Sequence, residues 1–375
     1  MRAAQQANIG QLPPPRGTFT PTGPLGSGHT VLSPGAGQLA PFRKRGPIVR
    51  ISRIHRRLAA LGLAFTGLFS LAATAPAAAG PSALQVTGAI SLPGDNVHPE
   101  GISVDPRNGD TYVTSFTTGA VYRAAAGQTQ AQVFLPAGTD GRTQAMGTDV
   151  DSKGRLWVND RDAVTLYDTA TGARLARFVT PTPGQSVLND LDLTPDGSVY
   201  VTDSLRNLVY RVTATQVADA IAAGGPARTL DVGFDLNGLV TPQPVGAITL
   251  NGIESNDTGS FLITVDMATG DLFRLDVASG RASKVAVTGP GLASGDGLLL
   301  EKNKLWIAHF GSDSISRVRL SDDATTAVVE QQLSDPELRR PTTLVRGQGS
   351  IHVVRSQFGL SPLSLPFDVA RLSGI

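Results

Sequence analysis

Between Pro99 and Phe358 the chain alternates short apolar runs with turns, and the alternation repeats six times. Each unit is a strand, a turn and a second strand that stops on a polar residue, as in PEGISVDPRNGDTYVTSF, LNDLDLTPDGSVYVTDSL and GDGLLLEKNKLWIAHFGS. Measured at Gly101, Gly147, Asp190, Gly252, Gly297 and Thr343, the third residue of each unit as written, the spacings are 46, 43, 62, 45 and 46. Such a period, filled with alternating Val, Leu, Ile, Tyr and Trp and with turn pairs such as Asp196-Gly197, predicts propeller blades rather than helical repeats. The fold class expected is all-β, a six-bladed β-propeller of four-stranded blades.

A ring needs a closure. The run Leu84 to Leu92 (LQVTGAISL) precedes the first unit as a lone strand, and Phe367 to Leu372 follows the last. The two are expected to meet in one blade, which leaves no free sheet edge. The 62-residue spacing between the third and fourth units marks an insertion at about 214–247. Within it, Thr215 to Ala223 has the composition of a short helix stopped by Gly224-Gly225-Pro226, followed by a loop from Gly233 to Pro244. The insertion returns directly to Asn251, so part of it is expected to overhang the end of the ring where the units begin, although packing on the flank is equally open.

Ahead of the repeats, residues 1–48 are rich in Pro and Gly without hydrophobic periodicity and are expected to be a disordered leader. Residues 49–79 read as a signal peptide: basic residues through Arg56-Arg57, an uncharged run from Leu58 to Ala73, then Ala77-Ala78-Ala79 before Gly80. Translation is expected to start near Val49 and the mature chain, 80–375, near Gly80. An uncleaved anchor is the competing reading of the apolar run. Export to a periplasmic or extracellular site follows from cleavage, with no stable membrane association afterwards.

Nine of the 32 basic residues lie before residue 80 and no acidic residue does, leaving 23 against 31, a net charge of −8 for the mature part. A mildly acidic module without clustered cations lacks the footprint of a nucleic-acid binder. The chain has no cysteine, which excludes disulfides, zinc–thiolate sites and a thiol nucleophile. The expectation is a monomer that takes a small-molecule substrate.

The unit openers are Glu100, Met146, Asn189, Asn251, Asp296 and Thr342. Taken singly, an Asn or Asp at a strand entrance is usually a turn residue that bonds nearby backbone. Equivalent positions of a cyclic repeat, however, converge on one axis. A Glu, two Asn and an Asp there form an oxygen-rich set suited to a hard divalent cation, calcium first. Two anionic ligands roughly neutralise such an ion, and open positions leave it Lewis-acidic. The residues closing the second strands, Ser115, Asp160, Asp203, Asp266, His309 and Arg355, are expected to form an outer ring on the same rim. In that ring His309 is placed to relay a proton and Arg355 to hold an anionic substrate. His98, two residues before Glu100, is placed to orient it, and His352, in mid-strand, to be structural.

Over residues 84–375 the chain resembles the gluconolactonase and regucalcin-like six-bladed propellers, most of all their exported bacterial branch, and more distantly the paraoxonases and the diisopropyl fluorophosphatase. The resemblance rests on Glu100-Gly101 in the first blade, Asn251-Gly252 in a middle blade, Asp296-Gly297 in the next, and Asn189-Asp190 ahead of Pro195-Asp196-Gly197. It implies that Glu100, Asn251 and Asp296 hold the metal, that Asn189 is a fourth ligand or a substrate contact, and that Asp296 is the general base or nucleophile. One departure is specific: where lactonases of this group place an arginine two residues before the Asn, this chain has Val187. Two function classes follow. One is a calcium-dependent hydrolase of a lactone or ester, the other a non-enzymatic binding propeller whose ion only stiffens the channel mouth.

Overall fold

The computed structural model describes residues 84–375. The expected leader, signal peptide and cleavage position near Ala79 lie outside the described residues. Six antiparallel sheets are present, and each consists of the four strands expected. The innermost strands are Pro99–Val104, Thr148–Val150, Leu188–Leu193, Leu250–Ser255, Gly295–Glu301 and Pro341–Gly347. Blades two and five gain a fifth outer strand, Ala227–Thr229 and Ala286–Thr288, each added in parallel.

The second strands, such as Val199–Asp203 and Phe261–Asp266, are buried at every position. Both faces of a blade are covered by its neighbours, so each strand buries both of its alternating side-chain sets. Tyr112 and Val113 show this directly. Tyr112 packs toward blade two with Leu156 and Tyr167, while Val113 packs the other way with Val354 and Val369 of blade six. The core is therefore six separate apolar clusters, one in each cleft between blades, rather than one central mass.

Closure follows the expectation. Strand Gln85–Ser91 pairs antiparallel with Asp368–Ser373, so the first and last described strands share blade six. Ile90 and Leu92 then fill the cleft between blades six and one together with Ile102, Phe367 and Val369. Hairpin chemistry is equally local: in Pro195-Asp196-Gly197, Gly197 takes φ 82° and the Asp196 carboxylate accepts the Ser198 N–H at 2.8 Å.

The insertion divides between the two roles left open for it. Its helix, Ala214–Ala222, starts from a capping box in which Thr213 and Gln216 bond each other's backbone N–H. Val217 and Ala220 pack into the cleft between blades two and three, on the flank. The segment after strand Asp231–Asp235 returns over the ring's mouth, where it delivers Ile248 to a cavity on the axis. Among the described residues no helix is long and apolar enough to cross a membrane.

Candidate metal centre

The unit openers stand near the start of the inner strands, the second residue in five of the six. In five blades they lie within the inner strand, at a β-bulge. Pro99 pairs with Ser115 but Ile102 pairs with Val113, three steps against two, and the same slip recurs at Leu188/Leu191, Leu250/Ile253, Gly295/Leu298 and Pro341/Leu344. The extra residue bends the strand and re-aims the side chain there, a usual device beside functional sites. The following glycine lets the inner strands converge. A Cβ on Gly252 would lie 2.4 Å from the Asp296 carbonyl oxygen, and one on Gly101 2.5 Å from that of Met146. Blades three and six carry Asp190 and Thr343 there instead, each fitted against the glycine of the preceding blade, Gly147 and Gly297.

The bulges bring Glu100, Asn189, Asn251 and Asp296 into one cavity of about 210 Å³ at the mouth of the axis, with Met146 and Thr342 completing the ring of openers. All four polar groups are buried. The Ser204 hydroxyl donates to the Leu250 carbonyl at 2.5 Å, which uses its single hydrogen, so toward Asn189 it can only accept. It accepts from Asn189 Nδ2 at 3.1 Å, which turns Asn189 Oδ1 into the cavity without a donor. Glu100 Oε2 is likewise buried with no partner. Asn251 Nδ2 is held by the Met267 sulfur at 3.4 Å. Thr342 is a strut, its hydroxyl donating to the Glu100 carbonyl at 2.7 Å.

A third carboxylate, Asp190, lies buried beneath these groups. Burial, then the charges of Asp296 and Asp190, push the Glu100 carboxyl well above the usual range. Burial and Asp190 push Asp296 up, against a hydrogen bond from Asn251 that pulls it down. Burial raises Asp190 to about 7, with Asp192 adding to the effect and the Leu191 N–H opposing it. The ion pairs among the described residues all involve other carboxylates. Among the described residues no three His, Cys, Asp or Glu side chains gather into a metal cluster. The donor set here mixes carboxylates with amide oxygens. Two orphaned acceptors and two uncompensated carboxylates lining one cavity, with Asp190 buried near them, fit a hard cation and leave an apolar ligand without a partner for them.

His309 and Arg355, expected at the substrate, are engaged elsewhere. His309 bonds the Ala293 carbonyl through Nδ1 at 3.1 Å and the Ser316 hydroxyl through Nε2 at 2.7 Å, and burial lowers its pKa. Arg355 Nη1 donates to Asp368 at 2.9 Å, bracing the second strand of blade six against the third. The other members of the expected outer ring serve the backbone: Asp203 accepts the Val187 and Leu205 N–H groups, and Asp266 accepts that of Ala268. His98 bonds the Ser356 carbonyl at 2.9 Å and stacks on Phe358, so it steadies that loop rather than Glu100. His352 is buried in mid-strand, as expected of a structural residue.

The residues that do form the outer ring come one position later. Phe116, Arg161, Met267 and Phe310 each follow an expected ring member and line the cavity, and Ser204 in the same position holds Asn189. Neighbouring positions at a strand end face opposite ways, so an error of one residue exchanges a structural set for a functional one. Phe358, Val187 and Ile248 complete walls that are almost wholly apolar. Phe116 and Phe310 both pack on Phe358, with centroids at 5.0 and 5.9 Å. Four apolar or basic residues after strand two, in equivalent places of four repeats, were the available signal.

Comparison with known proteins agrees with this architecture. The family model described as SMP-30/Gluconolactonase/LRE-like region matches residues 98–333. Among solved structures, a calcium-binding regucalcin from Agrobacterium tumefaciens is similar at a TM-score of 0.54 and 15% identity, covering 77% of this chain and 96% of that one. A luciferin-regenerating enzyme is similar at 0.53 and 14%, covering 78% and 96%. A virginiamycin B lyase from Staphylococcus aureus is similar at 0.51 and 15%, covering 77% and 98%. At these identities the likeness establishes the fold. No curated protein matches the chain.

Proposed function

We infer that this chain, which belongs to the SMP-30/Gluconolactonase/LRE-like family, is an exported hydrolase of a small lactone or ester that works with a divalent cation, calcium by its donor set. The observation that carries the reading is the pair of buried acceptors without donors, Glu100 Oε2 and Asn189 Oδ1, beside Asn251 and Asp296. Those four side chains would hold the ion. When bound, it would supply Lewis acidity to the substrate carbonyl and offset the charge developing on its oxygen.

The chain's own groups do the rest. Asp296 is the anion at the cavity floor, placed to take a proton from water or to attack the acyl carbon itself. Burial and Asp190 favour its protonated form and the hydrogen bond from Asn251 opposes them, so a bound cation would be what holds it as the anion. Phe116, Phe310, Phe358 and Met267 keep bulk water from the floor and offer the substrate an apolar wall. With Val187 in place of an arginine, these walls suit an acyl chain or aryl group better than a sugar acid. The basic stretch ending at Arg56-Arg57, the apolar run after it and Ala77-Ala78-Ala79 support export.

The test is hydrolysis of a panel of lactones, aryl esters and phosphotriesters with and without chelator, by wild type and Asp296→Asn. Chelation and the substitution should each lower the best activity by about 1000-fold or more. Activity untouched by both would end the metallohydrolase reading. Calcium binding with no hydrolysis of any kind would favour the binding-module alternative. Mass spectrometry of the exported protein should place its N-terminus near Gly80.

A further inference from the structure

We propose that Arg161 forms an anion subsite at the mouth of the cavity, so that the preferred substrate carries a carboxylate on the far side of an apolar body from its reacting carbonyl. The proposal rests on the reading of the cavity as a hydrolytic site and extends it to substrate class. Among the described residues Arg161 is the only basic one lining the cavity, and the rest of the wall above the floor is apolar. Its position is set by register. Val158 pairs with Thr148 in blade two as Val113 pairs with Ile102 in blade one and Ile307 with Leu298 in blade five. Three residues further on stand Arg161, Phe116 and Phe310, equivalent places that all line the cavity.

The guanidinium has no other employment among the described residues. Its two acidic neighbours are bound elsewhere: Asp160 pairs with Arg177 at 3.0 Å and accepts the Asp162 and Ala163 N–H groups, and Asp162 accepts the Gly184 N–H. The backbone is fixed, with the Arg161 carbonyl accepting the Leu188 N–H at 3.0 Å. That bond sets Arg161 beside Val187 and Asn189, so a guanidinium from blade two reaches the place that Val187 leaves apolar. The side chain itself is exposed, free to swing and close on an anion. A guanidinium can grip a carboxylate through two parallel N–H donors. The site is also needed: an anionic substrate faces a floor that carries Glu100 and Asp296, and a cation at the entrance offsets that repulsion.

The test uses matched pairs of aryl esters, a neutral ester of a short monocarboxylic acid and the ester of the dicarboxylic acid of equal length, with the calcium-loaded enzyme. Wild type should prefer the anionic ester. In Arg161→Gln the ratio of kcat/KM for the anionic over the neutral ester should fall by about tenfold or more, mainly through KM, and Arg161→Lys should recover most of it. Added salt should shrink the wild-type preference toward that of Arg161→Gln. A ratio unchanged by Arg161→Gln overturns the proposal while hydrolysis of the neutral ester leaves the hydrolase reading standing. If no ester is cleaved, calorimetry with phenylacetate decides: binding weakened about tenfold in Arg161→Gln upholds the subsite without the enzyme, and binding that is absent or unaltered overturns it.

Discussion

The cavity carboxylates Glu100 and Asp296, with Asp190 buried near them, have no basic partner among the described residues and should make the metal-free protein lose stability as pH rises; Asp190 is where the effect can be worked out. Burial raises it to about 7, against an ordinary 3.8. The native state therefore holds this proton more tightly than the unfolded chain does. Between those two values the unfolded state is ionised while the native state is not, so stability falls with pH across that window and stays low above it. At 1.36 kcal/mol per pKa unit the full cost approaches about 4 kcal/mol at pH 8, against about 1.5 kcal/mol at pH 5. Water drawn into the cavity reduces both, so a gain of about 2–4 kcal/mol at pH 8 is expected from Asp190→Asn. The amide keeps the shape and can still accept the Leu191 N–H that Asp190 accepts at 2.9 Å. The assay is urea unfolding of wild type and Asp190→Asn in chelator at pH 5 and pH 8. The stabilisation by the variant should grow by about 2 kcal/mol between the two. A gain of the same size at both pH values would mean that Asp190 ionises freely in the native state, and the argument that this cavity needs a cation would fall with it.

Other consequences follow from the same geometry. Glu100→Gln removes one of two anionic ligands and should weaken calcium binding by at least about 100-fold in calorimetry, while raising the melting temperature of the chelated protein. Gly252→Ala places a methyl group 2.4 Å from the Asp296 carbonyl oxygen, so the inner strands of blades four and five must part; a loss of about 1–3 kcal/mol is expected in urea, together with weaker calcium binding. Wild-type stability in that variant would show that the convergence of inner strands is slack. A chain beginning at Pro93 lacks the outer strand of blade six and the buried Ile90 and Leu92, and should self-associate in light scattering with a lowered melting temperature.

Much of the architecture was legible because it depends on short-range regularities repeated six times. Period, turn chemistry and alternation specify blades, and a lone strand at each end, Leu84 to Leu92 and Phe367 to Leu372, specifies closure, since an unpaired edge is costly to leave. The openers were legible for the same reason: equivalent places in a cyclic repeat share one environment, so Glu100, Asn189, Asn251 and Asp296 could be grouped before their contacts were known. The outer ring was not. His309 differs from Phe310, and Asp160 from Arg161, by one position, and which of two adjacent residues lines the cavity depends on a strand pairing that local sequence does not reveal.

What the amino-acid sequence determined by itself was the kind of ring and the chemistry of its openers, because propensity and periodicity act within a few residues of each other. What only the tertiary structure decided was the occupancy of the cavity wall. Asp190 became a buried acid because Gly147 of the preceding blade leaves it room, and Asn189 turned its oxygen inward because Ser204 had already given its hydrogen to Leu250. Arg161 stands alone at the mouth because Asp160 and Asp162 were bound by residues 17 and 22 positions away. Each of these outcomes is a competition for space or for a hydrogen bond among residues far apart in the chain, within a blade for Arg161 and between neighbouring blades for Asp190 and Asn189, and such competitions are settled only when the strands pack.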